Sequence, residues 1–121
     1  KVKDSYNVDR ITQALARAAF SKSGQAGVHR NVSKILKERV RLSRKLGDLG
    51  FRVPESRANF VLALLPFGAL PSVAAGLYQA LKKRGILVRY FPYPRLDKAL
   101  RITVGSRSEN DRLLRELKSL M

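Results

Sequence analysis

The sequence predicts an α+β domain: a small, mostly antiparallel sheet with helices packed on one side. Three observations predict it. Some stretches repeat apolar residues every three or four positions, as amphipathic helices do, and others crowd or alternate them as strands do. These stretches follow the order helix, helix, strand, strand, helix, strand, strand, helix. The chain has 121 residues, 45% of them apolar and 28% charged, which is the balance of one globular domain. A domain of that size buries roughly two-thirds of its unfolded surface, enough for a core without disulfides or metal.

Val8 to Phe20 reads as a helix, with Val8, Ile11, Leu15, Ala18 and Ala19 at helical spacing. Asn7 is placed to cap it, and Asp9 puts a negative charge in its first turn, where the helix dipole favours one. Ser21 to Gly27 is a loop by composition. Val28 to about Leu49 is a longer helix with one apolar stripe: Val28, Val32, Ile35, Leu42, Leu46 and Leu49. Arg30, Lys34, Lys37, Arg41 and Arg44 form a separate basic stripe, and Gly50 supplies a left-handed cap.

Phe51 to Val53 reads as a short strand, turned by Pro54 and Glu55. Asn59 to Leu65 is apolar after its first residue, as expected of a central strand covered on both faces. Pro66 to Pro71 is a turn. Ser72 can cap a helix whose Val73, Leu77 and Leu81 face the core, ending in Lys82, Lys83 and Arg84 before Gly85. Ile86 to Phe91 is a strand that Pro92 and Pro94 stop. Leu100 to Val104 is another, with Leu100, Ile102 and Val104 inward and Arg101 and Thr103 opposite. Ser106-x-x-Glu109 is a capping box, opening a last helix on Leu113, Leu114, Leu117 and Leu120.

Composition excludes several kinds of chemistry. There is no cysteine and one histidine, His29, so a disulfide scaffold, a zinc finger and a thiol nucleophile are ruled out. A Ser-His-Asp engine would have to use His29, which reads as a surface residue. Lys plus Arg is 25 against 9 acidic residues, a net charge of +16 that attracts phosphates, acidic proteins or anionic lipid. The densest run is Lys34, Lys37, Arg39, Arg41, Arg44 and Lys45; without aromatic platforms beside it, a solvated helix face is the expected reading. Ala58 to Leu81 lacks charge, yet Pro66, Gly68 and Pro71 break it, so no membrane span is expected. No signal peptide is visible. The chain opens on Lys1 rather than Met, as a processed or excised piece would.

Two arginines stand out. Arg89 and Arg101 each sit within a predicted strand between apolar neighbours, where a charge is costly unless it meets water or an anion. If the strands are neighbours, both guanidiniums can emerge on one face and grip a carboxylate or phosphate by paired hydrogen bonds. A merely solvated sheet face explains them as well. Tyr6, Tyr90 and Tyr93 can border such a site, but strand and turn roles account for them equally.

Gly85-Ile86-Leu87-Val88-Arg89, then Leu100-Arg101-Ile102-Thr103-Val104-Gly105, then Glu109-Asn110-Asp111 with a leucine-rich helix, resemble the C-terminal end of histidinol-phosphate aminotransferases. Those are pyridoxal-phosphate enzymes of the aspartate aminotransferase fold type. Glu55-Ser56-Arg57-Ala58-Asn59-Phe60-Val61 resembles the family's Ser-x-Ala-Asn-Phe strand entry, and Lys3-Asp4-Ser5-Tyr6-Asn7-Val8 the segment after its cofactor-bearing half. The likeness runs nearly end to end, and Leu-Arg-Ile-Thr-Val-Gly is its most specific part.

The resemblance implies the small domain of a fold-type I aminotransferase: residues 1–27 as a helical lead-in from a large domain, and 28–121 as the C-terminal small α+β domain. It implies that Arg101 grips the acidic end of the substrate and that Arg89 helps recognise its phosphate. No residue here is expected to be catalytic, and no metal is expected. Pyridoxal phosphate would serve the full-length enzyme, a cytoplasmic homodimer transferring an amino group between histidinol phosphate and 2-oxoglutarate. The cofactor lysine belongs to the large domain, so this chain alone is expected to bind no cofactor and to be inactive. Ser21-Lys22-Ser23 imitates the Schiff-base motif, but at the wrong place and spacing. A related transaminase or an amino-acid phosphate decarboxylase would share these motifs. The alternative is a free-standing basic α+β domain that binds RNA or DNA phosphates, though no ribonucleoprotein strand motif is present.

Overall fold

A computed structural model describes residues 8–121, and the chain divides into two compact units, Lys1–Lys34 and Ile35–Met121. In the first unit, α1 spans Arg10–Ala19. Its cap is Asp9, whose side chain accepts a 2.9 Å hydrogen bond from the Thr12 amide. Asn7 lies outside the described residues. The next helix, α2, spans Lys22–Asp48 and runs on into the second unit. The loop expected at Ser21 to Gly27 is therefore its start. Ser21 Oγ accepts from the Gly24 amide at 3.1 Å and donates to the Ala18 carbonyl at 2.6 Å. Gly24 is needed at this corner: a Cβ there would fall 2.4 Å from the Ala18 carbonyl oxygen. The serines and glycine that read as a loop serve a cap and a close approach instead.

The second unit holds the core. A three-stranded antiparallel sheet has the order β1-β3-β2, with β1 at Phe60–Leu64, β2 at Arg89–Tyr90 and β3 at Ala99–Thr103. The central strand is β3, so the expectation of a central strand at Asn59 to Leu65 is corrected. In β1, Val61 and Ala63 are buried, while Leu62 and Leu64 are half-buried on the other face. Apolar residues on an incompletely covered outer face produced the continuous run. Phe51 to Val53 contributes only a bridge, Arg52 to Leu64, although Phe51 itself enters the core.

Helix α3 spans Pro71–Lys83, and α4 spans Arg107–Leu120. Ser72 does not cap α3. Leu70 holds that position with no side-chain bond, and Pro71, its φ already suited to a helix, opens the first turn. The buried stripe is Ala74, Leu77 and Leu81, with Val73 46% exposed. Gly50 and Gly85 adopt positive φ, at 89° and 73°, as the helix-ending role requires. Leu100, Ile102 and Val104 point inward as expected, and the Ser106–Glu109 capping box forms. Leu113 and Leu117 of α4 are buried, while Leu114 and Leu120 are half-buried.

The strand expected over Ile86 to Phe91 shrinks to Arg89–Tyr90. Ile86 to Val88 do not pair with β3. A cavity of about 310 Å³ opens there instead, walled by Ile86, Val88, Ile102 and Leu113. No helix among the described residues is long and apolar enough to cross a membrane. The uncharged run at Ala58 to Leu81 resolves into β1, a turn and most of α3.

Candidate functional site

Strand register decides where the two arginines point. Arg89 pairs directly with Arg101, and Arg101 pairs on its other side with Leu62. Directly paired residues share a sheet face, so both guanidiniums rise from the face opposite Leu100 and Ile102. Arg89 is exposed and Arg101 half-buried. The Arg101 guanidinium carbon lies 5.1 Å from the Phe60 ring centroid and 5.9 Å from that of Phe91. The Arg89 carbon lies 5.5 Å from Phe91. Two aromatic rings therefore flank the pair.

Arg101 Nε is buried and lacks a hydrogen-bond partner. A buried donor left unpaired costs about 1–3 kcal/mol, more when it carries charge. Among the described residues neither arginine forms an ion pair with a carboxylate. Two adjacent cations with free donors on one face are equipped to receive an anion with several oxygens. The cavity beside Ile86 is a separate feature, since neither arginine lines it.

Phe60 and Phe91 are the residues that sequence reasoning missed. Their signal was present: Phe91 follows Arg89 by two, and Phe60 precedes Leu62 by two, which puts each on the arginine face of a strand. The tyrosines fall elsewhere. Tyr90 pairs with Leu100, so it faces inward and stacks on Tyr78 with centroids 6.0 Å apart. Of the two roles open to it, Tyr90 takes the strand role. Tyr93 is 63% exposed in the following turn, and Tyr6 lies outside the described residues.

The basic run on α2 is partly committed to the fold. Arg39 Nη1 donates to the Ala58 carbonyl at 2.8 Å, and Lys45 pairs with Asp48 at 3.3 Å. Arg41 bonds Glu38 at 2.8 Å and Asp111 at 2.6 Å. Asn110, 2% exposed, joins this network. Its amide nitrogen donates to Glu38 at 3.0 Å and to the Gly105 carbonyl at 3.0 Å, and its oxygen accepts from the Gly105 amide at 3.1 Å. The Arg41 hydrogen bonds, aided by that of Asn110, hold the Glu38 carboxyl below the usual carboxylate range. Asn110 thereby fixes the turn that ends β3.

The described residues do not fit a pyridoxal-phosphate cradle. Lys22 is exposed at the start of α2, where its serine neighbours are spent on the cap. Every described lysine is exposed, so none occupies the dry pocket in which Schiff-base lysines are activated. Among the described residues no cluster of His, Asp and Glu is placed to hold a metal.

Comparisons with known proteins identify the family. Residues 1–117 match the family described as aminotransferase class I and II. The chain is 48% identical over 120 residues to a histidinol-phosphate aminotransferase of Synechocystis, covering 99% of this chain and 33% of that protein. Among solved structures, histidinol-phosphate aminotransferase from Sinorhizobium meliloti, in complex with pyridoxal-5'-phosphate, superposes with TM-score 0.71. It is 26% identical over 82% of this chain and 28% of that one. A decarboxylase from Sulfurospirillum multivorans gives TM-score 0.77 at 26% identity, over 96% of this chain and 30% of that one. The chain thus spans about a third of the curated relative's length and matches its C-terminal part. Sequence and fold together show that this chain belongs to the class I and II aminotransferases.

Proposed function

We propose that this chain is the C-terminal small domain of a histidinol-phosphate-type aminotransferase, and that Arg101 and Arg89 grip the anionic groups of its substrate. The observation that carries the reading is the direct pairing of Arg89 with Arg101 on one sheet face. Such a clamp orients a substrate relative to the reacting amine, a recognised share of catalysis. In this reading residues 1–27 lead in from a larger part, which holds pyridoxal phosphate, and 28–121 form the small domain. Exposed apolar side chains such as Phe67, Leu70 and Leu87 support a larger partner surface. The homodimer and the cytoplasmic setting rest on the family resemblance alone. Nothing in the comparisons supports the nucleic-acid alternative.

The likeness to a decarboxylase favours one second reading within the family, in which the same clamp serves carbon dioxide release. A chimera tests both. The last third of the Synechocystis relative is replaced by this chain, and cofactor binding is verified by absorbance. Histidinol phosphate and 2-oxoglutarate should then exchange an amino group, and Arg101→Gln should raise KM for both substrates. A chimera that binds the cofactor but is indifferent to Arg101→Gln would overturn the proposal. Carbon dioxide release from an added amino-acid phosphate, without amino exchange, would select the second reading.

A further inference from the structure

We propose that Phe91 is the positioning residue of this anion site: its ring fixes the spacing between the Arg89 and Arg101 guanidiniums so that one multivalent anion bridges them. The inference rests on the reading of these arginines as an anion clamp. Like charges directly opposite each other on paired strands repel, and Arg89 and Arg101 are so placed. Something has to hold them together when no anion is present. Both guanidinium carbons approach the same ring, at 5.5 and 5.9 Å, whereas Phe60 meets Arg101 alone, at 5.1 Å. The negative face of an aromatic ring attracts a guanidinium, and Phe91 does this for both.

Packing does not account for the ring, since Phe91 is absent from the residues that build or flank the hydrophobic core. Local sequence accounts for its fixed place. Phe91 lies two residues beyond Arg89, hence on the same side, and Pro92 follows it. A residue before proline is confined to extended backbone, so the ring is anchored at the edge of the arginine face. An exposed Arg89 would otherwise sample many rotamers, and an anion would have to order it on binding.

The test uses the 121-residue chain and inorganic phosphate, with chloride at matched ionic strength as control. Nuclear magnetic resonance follows the Nε–H signals of Arg89 and Arg101, assigned by their loss in Arg89→Lys and Arg101→Lys. Phe91→Leu keeps apolar bulk without an aromatic face. It should shift both signals and weaken phosphate binding by about fivefold. Phe91→Tyr should retain both signals and bind phosphate within about twofold of the unaltered chain, because its ring face is kept. Phe60→Leu should shift the Arg101 signal alone. The inference is overturned if Phe91→Leu moves only one signal or neither, or if it binds phosphate as tightly as the unaltered chain. If the unaltered chain ignores phosphate, the clamp reading fails, and the spacing claim then stands or falls on the two Nε–H signals.

Discussion

Within Ile35–Met121, Leu42 and Leu46 of α2 have no exposed surface, whereas Val28 and Val32 of the same helix, in Lys1–Lys34, are 53% and 46% exposed. The contrast extends to α1, where Ile11 and Leu15 are 74% and 66% exposed and no residue is buried. Yet α1 and α2 carry the same kind of apolar stripe. A helical period defines which face of a helix is apolar; only a surface packed against that face makes it a core. In the second unit Leu42 and Leu46 join one core with Val61, Leu100 and Ile102 of the sheet and Leu113 and Leu117 of α4. The site grows from the same division, because burying those sheet residues forces Arg89 and Arg101 to the opposite side of the sheet.

Truncation separates the two regions most sharply. Leu46→Ala and Leu117→Ala, at positions with no exposure, should each destabilise the chain by about 2–5 kcal/mol in urea unfolding. Leu15→Ala, on the exposed stripe of α1, should cost less than about 0.5 kcal/mol. Comparable losses at Leu15 and Leu46 would break the comparison. Asn110→Ala should fall between these extremes, at about 2–3 kcal/mol, because it leaves the Gly105 amide and carbonyl without their partner and removes one of the hydrogen bonds to Glu38, which keeps those from Arg41. A loss below that of Leu15→Ala would show the network to be incidental.

The smallest effect concerns pH. The Glu38 carboxyl is held low in the folded chain, chiefly by its hydrogen bonds from Arg41. It therefore adds stability at neutral pH, above its unfolded pKa, and that contribution disappears as acid protonates it through the lowered folded value. Urea midpoints measured between about pH 7 and pH 3 should fall toward acid, and Glu38→Gln should flatten part of that decline. Glu109 and Asp9, held low by hydrogen bonds from Ser106 and Thr12, act in the same direction and should keep the remainder. An unchanged profile in Glu38→Gln would remove the network from the account.

Much of this arrangement is legible in the chain itself. Period-two alternation in Leu100 to Val104 states the inward face of β3, and the spacing Ser106-x-x-Glu109 is enough to mark the start of α4. Neither tells which strand is central, because an apolar outer face makes the edge strand β1 read as one buried on both sides. Ser21 to Gly27 misleads for a related reason. Serine and glycine favour loops by propensity, but here they serve a cap and a tight contact with α1. The pairing of Arg89 with Arg101 depends on register across a turn, which spacing within either strand does not encode. The rings of Phe60 and Phe91 follow once that register is fixed.

Thermal unfolding of the unaltered chain and of Arg101→Gln, each in inorganic phosphate and in chloride of equal ionic strength, probes the clamp itself. An anion bound across Arg89 and Arg101 in the folded state must raise the midpoint by mass action. Phosphate should raise Tm of the unaltered chain by several degrees above chloride, with the increment largely lost in Arg101→Gln. Equal increments in the two proteins, or none in the unaltered chain, would contradict an anion site built from paired strand arginines.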